Sequence, residues 1–132
     1  MNKLIGGCDF SDMCVFSFHP VKSITTAEGG VVTTNNKKIF NDLKLYREHG
    51  INRDFINKKF RPKYYEQIKL GYNYRMNELE AAIGIEQLKK LDSFITKRVK
   101  IYNFYKSKLK NNLFKYPSIS ANSYSSHHLF II

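Results

Sequence analysis

The chain has 132 residues, of which 42% are hydrophobic and 14% aromatic, and its 22 Lys plus Arg against 11 Asp plus Glu give a formal net charge of +11. That length excludes a long multidomain protein, and that composition excludes an intrinsically disordered one, so a folded module is expected. No apolar run reaches the ~20 residues of a bilayer span, and Met1 to Gly7 lacks the apolar stretch of a secretory signal. A cytoplasmic protein with no membrane partner is expected.

Cys8 and Cys14 stand six residues apart. With no further Cys and no close His, they fit neither a zinc spacing nor a disulfide framework, and point weakly to a reducing compartment. The charge excess would attract a phosphate backbone. Its lysines are nevertheless spread along the chain, and between Lys89 and Lys115 they alternate with apolar residues at helical spacing. They therefore read as solvated helix faces and composition bias, and nucleic acid is not the expected partner.

In chain order, Met13 to Phe18 is a β-branched and aromatic run suited to a buried strand, stopped by His19-Pro20. Gly30 to Thr34 reads as a neighbouring strand, with Lys22 on the loop between the two. Asn35 or Asn36 caps a helix from Lys37 to about Glu48. Ile39, Phe40, Leu43 and Tyr46 form its apolar face, and Gly50 terminates it. Ile51 to Leu70 is basic, aromatic and aperiodic, long for a structureless connection.

Asn77 caps the next helix, with carboxylates in the first turn where the helix dipole favours them. Ala81, Ala82 and Gly84 permit a tight helix contact, and Leu79, Ile83 and Leu88 supply bulk. From Leu91 to Leu109 the apolar spacing defines a long amphipathic helix, with a bend expected near Asp92-Ser93. Pro117 and the polar stretch to Ser126 read as a linker. His127 to Ile132 then begins a strand, and ending on Phe-Ile-Ile makes the chain look cut off.

The chemistry concentrates in Ser17-Phe18-His19-Pro20-Val21-Lys22-Ser23-Ile24-Thr25-Thr26-Ala27-Glu28-Gly29-Gly30. A loop lysine at a strand end, five residues after a serine and followed by hydroxyls and paired glycines, suits a pyridoxal-phosphate (PLP) site. The amine can condense with the cofactor aldehyde, and hydroxyl and N–H groups can approach its phosphate. The same features also describe an ordinary exposed loop lysine beside a turn.

That segment, together with Gly71-Tyr72-Asn73-Tyr74-Arg75-Met76-Asn77-Glu78-Leu79-Glu80-Ala81-Ala82-Ile83-Gly84, resembles the DegT/DnrJ/EryC1/StrS family of sugar aminotransferases, nearest its pseudaminic acid branch. The resemblance covers nearly the whole chain. It implies an α/β fold, part of the large domain of a fold-type I PLP-dependent transferase plus the start of the small domain. Residues 1–115 would be the latter part of the PLP-binding domain with its long exit helix, and residues 116–132 a linker and first small-domain strand.

The resemblance also implies roles. Lys22 aligns with the catalytic lysine that forms the Schiff base and shuttles a proton. Ser17 aligns with a hydroxyl that binds the cofactor phosphate. Asn73 aligns with an asparagine that reaches the cofactor phosphate of the neighbouring subunit in a homodimer. His19 and Arg75 are candidate substrate-binding residues, with packing or surface roles as the alternative; Arg75 could equally orient Asn73. Thr25, Thr26, Glu28, Gly29 and Gly30 shape the loop. His127 and His128 lack partners at ligand spacing, so no metal site is expected.

The expected activity is transfer of an amino group from an amino acid, glutamate by resemblance, to a 4-keto nucleotide sugar in surface glycan biosynthesis. Retention of Lys22 disfavours the family's dehydratase branch, which carries histidine there. The family's ring-nitrogen carboxylate and N-terminal phosphate loop are not found in residues 1–12, so the chain is expected to be an internal piece, inactive alone. The alternative is an inactive remnant or a basic, non-enzymatic binding module.

Overall fold

The computed structural model describes residues 4–52, 65–110 and 113–132. Its elements run β1 (Cys14–Ser17), β2 (Gly30–Thr33), α1 (Lys37–Arg47), β3 (Ile51–Asn52), β4 (Glu66–Gln67), α2 (Glu78–Leu88) and α3 (Leu91–Lys108). They fall into two compact units, one of residues 1–16 and 30–77, the other of residues 17–29 and 78–132.

In the first unit β1 and β2 are hydrogen-bonded neighbours, as expected for the strands flanking Lys22. The expected burial of β1 is corrected: its residues alternate between half-buried and exposed, and Val15 is 70% exposed. A two-stranded sheet covered on one face buries only every second side chain. Polar contacts tie the N-terminal segment to the end of β2 and the residues just after it. Thr33 Oγ1 donates to Gly6 O (2.8 Å), the Cys8 thiol to Thr33 O (3.3 Å), and Asn35 Nδ2 to Gly7 O (2.8 Å).

Asn36, one of the two expected caps, accepts from Lys38 N and Ile39 N at the start of α1. Such a cap contributes about 1 kcal/mol by satisfying orphan donors of the first turn. Ile39 and Leu43 are half-buried, whereas Phe40 and Tyr46 are exposed, with Lys37 and Lys44 over the Phe40 ring and Lys69 over Tyr46. Basic side chains thus lie over exposed aromatic rings in this module.

Beyond α1 the chain turns through His49 and Gly50, both at positive φ (61° and 68°). The aperiodic stretch holds an antiparallel pair that periodicity does not reveal, Ile51 opposite Gln67 and Asn52 opposite Glu66. Residues 53–64 of that stretch lie outside the described residues. A Cβ on Gly50 would sit 1.8 Å from Lys69 O, and one on Gly71 would sit 2.1 Å from Gly50 N. The two glycines let these backbones meet, and no larger residue fits either place.

In the second unit α2 begins at Glu78, directly after Asn77, with Glu78 and Glu80 in its first turn. The long helix expected from Leu91 to Leu109 is α3, Leu91–Lys108; the expected bend near Asp92-Ser93 is corrected, because the helical path breaks earlier, at Lys89-Lys90 between α2 and α3. The inward face of α3 is the expected one, with Phe94, Ile95 and Val99 half-buried and Tyr102 only 8% exposed.

The expected strand from His127 is also corrected, because residues 127–132 form no strand. A strand needs a ladder partner, and here ring packing takes its place. His127, at φ 46°, stacks on Tyr102 with centroids 3.7 Å apart, and Phe130 packs against Tyr102, Tyr105 and Tyr116 at 5.2–5.8 Å. Tyr116 closes the segment by donating its hydroxyl to Leu109 O (2.7 Å). No described helix is long and apolar enough to cross a membrane.

Candidate active site

Lys22 stands, exposed, on the loop from Ser17 to Gly29, in the same unit as α2 and α3. His19 to Lys22 form a turn closed by Lys22 N donating to His19 O (2.9 Å), with Pro20 at the second position, where its fixed φ is preorganised. Val21 N donates to His19 Nδ1 (3.4 Å), which leaves Nε2 as the protonated nitrogen of the neutral ring. Ser17 Oγ accepts from His19 N (3.3 Å), so its own O–H proton remains available to another acceptor.

The remainder of the loop is held by its own polar groups. Phe18 N donates to Gly29 O (2.9 Å), while Phe18 O accepts from both Thr26 N (3.0 Å) and Thr25 Oγ1 (2.9 Å). Ala27, at φ 69°, donates its N–H to Thr25 Oγ1 (2.9 Å), and Thr26 Oγ1 donates to Glu28 O (2.6 Å). Thr26 is 2% exposed. Its methyl faces α2, where a Cβ on Gly84 would lie 2.8 Å from Thr26 Cγ2. The tight contact expected of Gly84 is therefore made with the lysine loop. Burial of Thr26 gave no sequence signal, because a loop threonine reads as solvent-facing.

Asn73 and Arg75 belong to the first unit and are both exposed. Their segment is fastened to the C-terminal end of α1. Tyr72 N donates to Tyr46 O (2.7 Å), His49 N to Tyr72 O (2.8 Å) and Tyr74 N to Arg47 O (3.0 Å), and Asn73 forms an isolated antiparallel bridge with Glu48. Tyr72 and Tyr74 stack with centroids 4.9 Å apart and planes within 6°. Arg75 Nε donates to Asn73 Oδ1 (2.9 Å). A guanidinium has no acceptor, so the amide oxygen must face it and Nδ2 is presented away. The expectation that Arg75 orients Asn73 matches this contact.

A surface depression of about 370 Å³ beside α1 is lined by Asn41, Lys44, Arg47, Glu48 and Asn52 among others. None of the expected site residues lines it, and Arg47 there is already paired with Glu48 (3.2 Å). Among the described residues no His, Cys, Asp and Glu side chains gather as a metal cluster.

An accessible primary amine on a braced strand-to-strand loop, with a serine hydroxyl free to donate at its start, is a donor set suited to an aldehyde cofactor bearing a phosphate. Residues 2–132 match the DegT/DnrJ/EryC1/StrS aminotransferase family. The chain is 45% identical over 123 residues to a UDP-4-amino-4,6-dideoxy-N-acetyl-β-L-altrosamine transaminase of Campylobacter jejuni, covering 92% of this chain and 31% of that protein. Helicobacter pylori PseC, an aminotransferase involved in the biosynthesis of pseudaminic acid, superposes with a TM-score of 0.72 at 40% identity over 84% of this chain and 28% of its own. The Streptococcus pneumoniae protein Spr1654 in its PMP form superposes at 0.80, with 25% identity over 92% and 33%.

The fold is thus a part, about a third, of the α/β fold of PLP-dependent sugar aminotransferases. The chain belongs to the DegT/DnrJ/EryC1/StrS aminotransferase family, and it spans about a third of the length of the curated relatives it matches.

Proposed function

We propose that this chain contributes the cofactor-anchoring lysine of an aminotransferase that moves an amino group from an amino acid, glutamate, to a 4-keto nucleotide sugar for a surface glycan. The observation that carries the reading is Lys22, accessible on a loop braced at both ends that begins at Ser17, whose hydroxyl proton is available to an acceptor. The UDP-sugar named for the Campylobacter relative supports a nucleotide sugar as acceptor.

When bound, PLP supplies an electron sink that stabilises negative charge at the amino-acid carbon. Lys22 Nζ anchors the cofactor and, as a free amine, takes and returns a proton. Among the described residues no carboxylate forms an ion pair with that amine, which leaves its lone pair accessible on deprotonation. Ser17 Oγ donates to the cofactor phosphate. Asn73 Nδ2, turned outward by Arg75, donates to the phosphate held by a second subunit of a cytoplasmic homodimer. His19, through Nε2, and Arg75 are candidate contacts for the sugar nucleotide. Residues 1–115 would belong to the cofactor domain and residues 116–132 to the start of the small domain.

Equilibrium dialysis against PLP tests the reading. The wild-type chain retains cofactor, Ser17→Ala retains it more weakly and Lys22→Ala loses it. Equal retention by wild type and Lys22→Ala overturns the reading. Because the chain spans a third of its relatives' length, we infer that it does not turn over a keto-sugar alone. Sustained turnover by the 132-residue chain would contradict that inference.

A further inference from the structure

We propose that Gly84 is a positioning residue for Lys22, acting through Thr26: the bare backbone of α2 at this point sets where the lysine loop lies. The inference rests on the reading of Lys22 as the cofactor lysine and extends it to the helix packed against its loop.

A glycine in the interior of α2 is unfavourable to the helix compared with alanine, so its presence has to be explained by what lies against it. What lies against it is Thr26 Cγ2, 2.8 Å from where a Cβ would stand. Thr26 cannot readily turn aside. Its β-branched side chain is stiff about χ1, its Oγ1 is bound to Glu28 O (2.6 Å), and at 2% exposure it is enclosed by protein atoms rather than solvent. A methyl group at position 84 therefore pushes the loop backbone.

Lys22 lies midway between the two ends of the backbone bond from Thr26 N to Phe18 O (3.0 Å), four residues from each. The strand end is itself closed by the bond from Phe18 N to Gly29 O (2.9 Å). The segment from Phe18 to Thr26 is thus a closed ring carrying Lys22, and displacing Thr26 displaces the ring.

The test uses the full chain as wild type, Gly84→Ala, Thr26→Ser and the double variant. Thr26→Ser removes Cγ2 and keeps the hydroxyl, so it relieves the contact without breaking the bond to Glu28. Two readouts are taken: hydrogen exchange of the Phe18 and Thr26 amides, and the yield of Lys22 adduct after PLP and borohydride, mapped by peptide mass spectrometry against the other lysines. Gly84→Ala is expected to accelerate exchange at both amides and to lower the Lys22 yield by roughly 10- to 100-fold, as for an ångström-scale misplacement of a reacting group. The double variant is expected to restore both.

Unchanged exchange in Gly84→Ala, or failure of Thr26→Ser to restore it, overturns the proposal. Should Gly84→Ala alone not fold, the double variant decides: a folded chain with protected loop amides supports the coupling, and an unfolded one overturns it. If exchange behaves as expected while wild-type adducts show no preference for Lys22, the cofactor reading fails and the coupling of Gly84 to the loop stands.

Discussion

The lysine loop and the C-terminal segment are both irregular stretches of the same compact unit, yet they are held by different physics. Residues 17–29 are fixed by directional bonds among their own hydroxyls and backbone groups, around a threonine that is 2% exposed. Residues 116–132 are held by rings, with His127 and Phe130 gathered on Tyr102 and Tyr105. Hydrogen bonds specify a position because they weaken steeply with distance and angle. Ring packing specifies proximity and tolerates repacking. The first arrangement suits a reactive amine, and the second suits a segment that needs only to adhere.

The largest break in this comparison is Tyr102→Ala. It removes the buried ring on which the C-terminal segment rests and should destabilise the second unit by about 3 kcal/mol. Thermal unfolding measures the loss, and limited proteolysis should cut first within residues 116–132. Tyr102→Phe should retain most of the stability, because the rings are used for packing.

Thr26→Val is the corresponding break in the polar loop. It keeps the shape and removes the Oγ1 donor, leaving Glu28 O without it at a cost of about 1–2 kcal/mol. Faster exchange confined to the loop amides, with the C-terminal segment still protected, would sharpen the contrast. Equal loosening of both segments would erase it.

Asn36→Ala serves as a control outside both regions. Loss of the α1 cap should cost about 1 kcal/mol in chemical denaturation without altering Lys22 adduct yield.

The smallest effect is at Lys69, whose hydrogen bond to the Asp42 carboxylate leads the causes that raise the ammonium above its ordinary 10.5. A raised cationic pKa stabilises the fold fully below the unfolded value, and the contribution is lost as pH climbs through the folded value. On the alkaline side, the stability advantage of wild type over Asp42→Asn should therefore hold to about pH 10.5 and narrow above it.

Legibility in the sequence followed the same division. β1, β2 and α1 could be read because a β-branched and aromatic run, helical spacing, Pro20, Asn36 and Gly50 mark them locally. The β3–β4 pair could not, because two-residue strands have no period and their pairing depends on Gly50 meeting Gly71 across the fold. His127 to Ile132 has the composition of a strand, but a strand is a property of two segments, and packing on α3 decides the outcome here.

At the site, Lys22, Ser17, Asn73 and Arg75 were found through the motifs that contain them. Gly84 was visible as a close-contact residue, but its partner was not. Thr26 resembles any loop threonine until its burial and its bond to Glu28 are seen. The Tyr72–Tyr74 stack and the backbone bonds that hold Asn73 to the end of α1 likewise require coordinates.

Trapping with PLP and borohydride, followed by peptide mapping of every lysine in wild type and Ser17→Ala, tests the central claim most directly. The account predicts that Lys22 takes the dominant share of adduct in the wild-type chain and that Ser17→Ala reduces that share. Adduct spread across the lysines in proportion to their exposure, and unchanged by Ser17→Ala, would contradict it.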